Sequence, residues 1–155
     1  WTASRTRSSK SMGPDPEMDR GEARRRFAAA RVARLATVDP AGRPHLVPVV
    51  FVVIGETIYS AVDTKPKTTN SLRRLENVRA HPAVGVLVDH YDDADWSALW
   101  WARADGTGRV LEKSDAEAVR AVDALARKYV QHRADRPPGP VLAIDVERWS
   151  GWATS

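Results

Sequence analysis

The 155-residue chain has no cysteine. Disulfides, thiolate nucleophiles and cysteine-based metal sites are therefore excluded. Lysine is nearly as scarce: Lys10, Lys65, Lys67, Lys113 and Lys128 are the whole set, while Ala, Arg, Asp and Val are abundant. Such a bias is expected of a GC-rich coding sequence, in which arginine tends to replace lysine. No apolar run approaches the roughly 20 residues of a membrane-spanning helix. The start, WTASRTRSSKSMGPDPE, lacks the apolar centre of a signal peptide. It reads as a disordered tail or expression remnant over 1–17, with a single domain expected over 18–155. With no export signal, the cytoplasm is the expected location. There is no phosphate-binding P-loop and no G-x-S-x-G. The segment RADGTGR offers two glycines but not the G-x-G-x-x-G dinucleotide pattern, and His45, His81, His90 and His132 show no paired metal spacing.

What is present is ordinary for a soluble globular protein: 43% hydrophobic and 28% charged residues, with a mild net charge of +4. Asp19 and Glu22 form a capping-box pattern ahead of a helix through EARRRFAAAR. The cluster Arg24, Arg25 and Arg26 in that helix reads as a solvated face, with nucleic-acid contact as the sharper alternative. Ala33, Leu35 and Thr37 alternate with Arg34, Ala36 and Val38 as in a strand, and Asp39–Gly42 (DPAG) has the residues of a type I turn. The run from Pro44 to Ile54 is almost continuously apolar, which predicts one strand buried on both faces. Pro48 inside it marks an edge, a bulge or an open slot, because proline donates nothing to a ladder. A further strand over Thr57–Val62, a helix over Thr69–Ala80 and a strand AVGVLVDHY follow. SALWWARADGTGRVLE reads as one or two strands with glycine bends. Ser114 and Glu117 suggest a second capping box for a helix to about His132, and VLAIDVERW is the last strand. Strands joined by short turns predict an antiparallel sheet closing as a barrel, in the α+β class and mainly β.

Two stretches carry chemistry. In AVDTKPKTTNSLRRL, Lys65 and Lys67 flank Pro66, Thr64, Thr68 and Thr69 supply hydroxyls, and a helix begins just beyond. Cations, hydroxyls and free helix N–H groups suit a phosphate or other anion; the plain alternative is a surface turn. In WSALWWAR, adjacent Trp100 and Trp101 must point to opposite faces of a strand, one to the core and the other toward a partner or a flat ring. Trp149 and Trp152 read as packing or subunit-contact residues. No nucleophile–base pair is visible, so any reactivity is expected from a cofactor.

Taken in order, LATVDPAGRPHLVPV, TIYSAVDTKPK, ENVRAHPAV and RADGTGRVLE resemble the split β-barrel flavin and deazaflavin oxidoreductases related to pyridoxamine 5'-phosphate oxidase. DHYDDADWSALWWARADG is similar to a deazaflavin-dependent branch of that family. The resemblance implies an FMN-binding-like split barrel that forms a homodimer, with two cofactors in grooves at the subunit interface. It implies that Pro48, Val49 and Val50 line the cofactor ring and that Tyr59 and Ser60 follow on the next strand. It further implies that Thr64, Lys65, Lys67 and Thr68 form the phosphate-binding turn, and that Trp101 and Arg103 approach the cofactor from the partner subunit. FMN oxidases of the family usually carry a basic residue at each end of the ring-lining strand, where this chain has Val47 and Val52. That departure shifts the expected cofactor from FMN to the deazaflavin coenzyme F420, whose anionic tail would suit the lysines and nearby Arg73 or Arg74. The expected function is hydride transfer between F420 and an unsaturated small-molecule substrate. The alternatives are an FMN-dependent oxidoreductase, or a non-catalytic flavin, heme or tetrapyrrole binder on the same fold. Nucleic-acid and membrane partners are not expected, nor is a metal.

Overall fold

The computed structural model describes residues 17–62 and 69–154. Its elements are α1 (Arg20–Ala29), β1 (Ala33–Val38), β2 (Pro44–Val49), β3 (Val52–Ile54), β4 (Thr57–Ala61), α2 (Thr69–Ala80), β5 (Ala83–His90), β6 (Trp100–Leu111), α3 (Ala116–Lys128), α4 (Val130–Ala134) and β7 (Val141–Ala153). All strand pairs are antiparallel, and the sheet order is β2-β1-β5-β6-β7-β4-β3.

That order forces closure. β2 and β3 lie at opposite edges, yet only Val50 and Phe51 separate them in the chain. Seven flat strands would hold those edges about 29 Å apart, whereas three peptide steps reach about 11 Å. The sheet must therefore roll into a barrel, and the Val50–Phe51 crossover seals it. The single strand expected over Pro44–Ile54 is thus two strands on opposite edges. Nor is the run buried on both faces: β2 alternates, with Leu46 67% exposed and Pro48 outward on the edge, where a missing donor costs nothing.

The barrel is filled by Leu35, Val49, Phe51, Ile58, Val86, Ala104, Leu142 and Ile144, among others. Phe27 of α1 enters near the Trp149 end of β7, its ring 5.0 Å from Phe51 and 5.3 Å from Trp149. Trp100 packs against this core while Trp101 faces outward, as adjacent strand residues must. A second layer forms outside the barrel, where Ala118 and Ala121 of α3 pack on Tyr59, Leu111, Val141 and Ala143.

β7 serves both halves of the molecule through one irregularity. Asp105 pairs with Arg148 but Gly106 pairs with Val146, so Glu147 is the extra residue of a bulge. Leu142 and Ile144 face inward before it, Trp149 and Gly151 after it. RADGTGR is thus one continuous strand with a bulged partner, and its glycines make room for close neighbours, backbone at Gly106 and side chains at Gly108. An added Cβ on Gly106 would lie 2.3 Å from the Asp145 carbonyl oxygen, and one on Gly108 would lie 2.8 Å from Val78 of α2.

Local signals settle most element ends. Asp19 accepts hydrogen bonds from the N–H groups of Gly21 and Glu22. Asp39 accepts from the N–H groups of Ala41 and Arg43, and Gly42 takes a φ of 87° in the turn. For α3 the cap is Asp115, which accepts from the Glu117 N–H, and not the expected Ser114; the Glu117 side chain is drawn instead to Arg109. The helix expected to reach His132 breaks at Tyr129, whose φ of −118° swings its ring toward the barrel. The arginine cluster of α1 is occupied internally: Arg24 donates to the Gly55 carbonyl, and Arg25 and Arg26 pair with Glu22. Among the described residues, no helix is long and apolar enough to cross a membrane, and no group of three or more His, Asp or Glu could hold a metal ion.

Candidate functional site

α2 closes the Leu142 end of the barrel. Its buried arc is formed by Leu75, Asn77 and Val78. At about 100° per residue, Arg74 falls between Asn77 and Val78, in a position that packing alone would give to a hydrophobe. The Arg74 guanidinium is half-buried, its Nε is buried with no hydrogen-bond partner, and burial lowers its basicity, with no carboxylate among the described residues to offset this. Beside it, Asn77 Nδ2 donates to Thr37 Oγ1 at 3.0 Å, and Thr37 lies opposite His45 in the β1–β2 register. The Asn77 Oδ1 and His45 Nδ1 atoms are also buried without partners. Three of the four unpaired buried polar atoms found among the described residues therefore gather at one end of the barrel; Ser150 Oγ is the other. A helical side chain leans toward the helix N-terminus, so Arg74 is directed to the end where residues 63–68 enter. Thr64, Lys65, Lys67 and Thr68 themselves lie outside the described residues.

The crossover carries the other expected site residues. Pro48 is exposed on the edge strand, Val49 is buried in the barrel, and Val50 is half-buried in the link. Ser60 reaches this link, its hydroxyl donating to the Val50 carbonyl at 2.9 Å. Tyr59, next along the strand, points to the opposite face under α3, and its hydroxyl donates to Glu117 Oε2 at 2.6 Å. The same Glu117 accepts a two-point contact from Arg109, which also pairs with Asp145 at 2.7 Å. Those bonds hold Glu117 down to a pKa of about 2, and burial together with Glu117 raises that of Tyr59. The network fastens α3 to β4, β6 and β7, and it leaves the Tyr59 hydroxyl engaged. Val47 packs against the barrel core and Val52 against the α3 layer, so neither end of the link carries a cation.

The outer face of β2, β1, β5 and the adjoining parts of β6 and β7 is bare among the described residues. One row across it reads Pro48, Arg34, Leu87, Arg103 and Ser150, and the next reads Leu46, Ala36, Gly85, Asp105 and Arg148. Arg34 pairs with Asp89 at 3.7 Å, and Arg103 with Asp105 at 3.1 Å. The Arg103 guanidinium also lies 5.6 Å from the centroid of the Trp101 ring, so these two expected residues do come together. The result is a surface that mixes small and apolar residues with charges, of which Arg34 and Arg103 are matched by Asp89 and Asp105.

From sequence, Arg74 stood only beside Arg73 as a helper to the lysines. Its signal was a cation at a core position of an amphipathic helix, legible only once the buried arc is known.

Comparison with known proteins adds the following. The chain matches the pyridoxamine 5'-phosphate oxidase family over residues 20–153. No curated protein matches it. Among solved structures it is similar to a conserved hypothetical protein from Mycobacterium tuberculosis, at 21% identity and a TM-score of 0.73 over 94% of this chain and 91% of that one. It is also similar to an FAD-binding protein from Mesorhizobium loti, at 22% identity and a TM-score of 0.69 over 90% and 97% of the respective chains. A third is the heme storage protein HutZ from Vibrio cholerae, at 16% identity and a TM-score of 0.64 over 88% and 95%.

Proposed function

Because the chain belongs to the pyridoxamine 5'-phosphate oxidase family, we propose that it is a homodimeric oxidoreductase that binds coenzyme F420 and passes a hydride from it to an unsaturated organic substrate. The observation that carries this reading is Arg74. A half-buried guanidinium with no carboxylate among the described residues is costly in an empty protein, and an anionic phosphodiester offers a counter-charge with matching acceptors. Lys65, Lys67, Thr64 and Thr68 would complete the anion's surroundings from the neighbouring turn.

When bound, the deazaflavin supplies the hydride. The chain's own part is orientation and exclusion of water. Val50, half-buried, gives the crossover an apolar surface, and Ser60 fixes its carbonyl direction. Trp101 and Arg103 lie on the bare face and would approach the groove from the partner subunit. The valines at 47 and 52 favour F420 over FMN, since neither can assist a flavin's phosphate or ring with a positive charge.

Titration of the purified protein with F420 and with FMN, followed by fluorescence, tests the cofactor. Tight F420 binding, with turnover on a panel of enones, quinones and nitroaromatics, is the expected result. Tight binding of FMN alone would overturn the cofactor choice. F420 binding with no turnover on any class would replace the enzyme by a carrier.

The bare sheet face supports the dimer. A surface that exposes Leu46 and Leu87 beside the paired charges of Arg34 and Arg103 suits a second copy of itself. The double variant L46D/L87D is expected to shift the protein from dimer to monomer in light scattering and to weaken F420 binding by about tenfold or more, because like charges would face each other across the two-fold. A dimer that survives this change would place the subunit contact elsewhere.

A further inference from the structure

The crossover that seals the barrel lies outside both flanking strands, so no ladder satisfies the backbone of Phe51. Two residues at the end of α3 do so instead. The Phe51 N–H donates to Tyr129 Oη at 3.2 Å. The single Tyr129 hydroxyl proton is shared between the carbonyls of Phe51 and Arg31, each at 3.0 Å. Lys128 Nζ donates to the Phe51 carbonyl at 3.0 Å and to the Ala28 carbonyl at 3.2 Å, and it sits 3.9 Å from the centroid of the Phe51 ring. Arg31 closes the assembly: its guanidinium lies 4.7 Å from the Tyr129 ring centroid and donates to the Lys128 carbonyl at 2.9 Å.

We propose that Lys128 and Tyr129 are positioning residues, a clasp that holds the Val50–Phe51 crossover in the conformation that receives the cofactor ring. The inference rests on the cofactor reading above, for which the crossover is the ring-lining backbone. Three features argue that the clasp is built rather than incidental. A long lysine would normally extend its ammonium to water, but here it is turned inward at a desolvation cost. Burial, with Arg31 nearby, lowers its pKa to about 8. The helix also breaks at Tyr129, which is what aims that ring at Phe51. Finally, with Ser60 on the Val50 carbonyl and the clasp on both groups of Phe51, the Val50 N–H is the crossover donor for which the described residues offer no acceptor. The clasp thus fixes the groups around one donor that has no acceptor among the described residues, which suits the carbonyl or ring nitrogen of a flat heterocycle.

The test uses the full-length protein with three variants: Y129F, K128M and, as a destabilised control, L125A, which empties a fully buried core position of α3. In the cofactor-free protein, hydrogen exchange at the Phe51 amide is expected to accelerate about tenfold in Y129F, the size of one lost hydrogen bond. F420 affinity is expected to fall about tenfold in Y129F and K128M, with a shift in the absorption maximum of bound F420. L125A should lower Tm while leaving affinity and spectrum unchanged. Unaltered Phe51 exchange in Y129F would remove the clasp, whether or not any cofactor binds. Faster exchange with parental affinity and spectrum would leave a purely structural tie and overturn the positioning role. Failure of the parent protein to bind F420 or FMN would sink the cofactor reading and the positioning role together, and it is distinguished by the exchange result.

Discussion

Replacement of Arg74 by methionine is expected to weaken cofactor binding about 100-fold and to leave the folded protein more stable than its parent. The two effects have one cause. In the cofactor-free state the guanidinium is half-buried with an unpaired Nε and no carboxylate partner among the described residues. A methionine of similar reach keeps the packing beside Asn77 and Val78 and removes the desolvation penalty, worth about 1 kcal/mol or more. With an anionic cofactor the balance reverses. Loss of a charge-assisted, two-point contact to a phosphodiester should weaken binding by about 100-fold. Thermal unfolding with and without F420, together with the fluorescence titration, measures both. A lower Tm for R74M in the absence of cofactor would mean that a protein group already compensates the charge, and the anion-site reading of Arg74 would be wrong.

The second large effect concerns folding. Gly106→Ala should destabilise the protein by more than about 3 kcal/mol, enough to deplete the soluble folded form. The new methyl group would meet the Asp145 carbonyl oxygen at 2.3 Å, the Asp145 carbonyl carbon at 3.0 Å and the Val146 Cα at 3.1 Å. All three are backbone atoms of the neighbouring strand, so no rotamer change relieves the clash. The site is also the bulge, where β7 exchanges its inward-facing residues. A shift there would misplace Trp149 on one side or Ile144 on the other. Gly85→Ala, whose methyl would have nothing nearer than the Asp105 carboxylate at 3.9 Å, is the control, and its fold should be kept. Denaturant titration of the two variants decides the matter. Parental stability in G106A would show that β6 and β7 can separate at this point.

Features that depend on near neighbours were legible in the sequence. Asp19 begins its helix and Asp39–Gly42 forms its turn because donors and acceptors lie two to four residues apart. The helix over Thr69–Ala80 has the expected ends, and the opposite orientations of Trp100 and Trp101 follow from strand geometry alone. The order of family motifs was legible too, and with it the split-barrel fold. Where local reading went astray, a distant partner had intervened. Glu117 was drawn from its cap by Arg109 and Tyr59, and the helix after it was broken so that Tyr129 could reach Phe51, 78 residues away. The apolar run Pro44–Ile54 was divided because its two halves close opposite edges of one sheet.

By itself, then, the sequence determined the elements, the family pattern and the exclusion of thiol and disulfide chemistry. Each follows from residue type or from spacing within a few positions. The tertiary structure alone decided that Arg74 has no counter-charge among the described residues, that Tyr59 is engaged beneath α3, and that no described element covers one face of the barrel. Those are properties of burial and pairing between residues distant in the chain, and no local pattern records which charges will find partners once the sheet has closed.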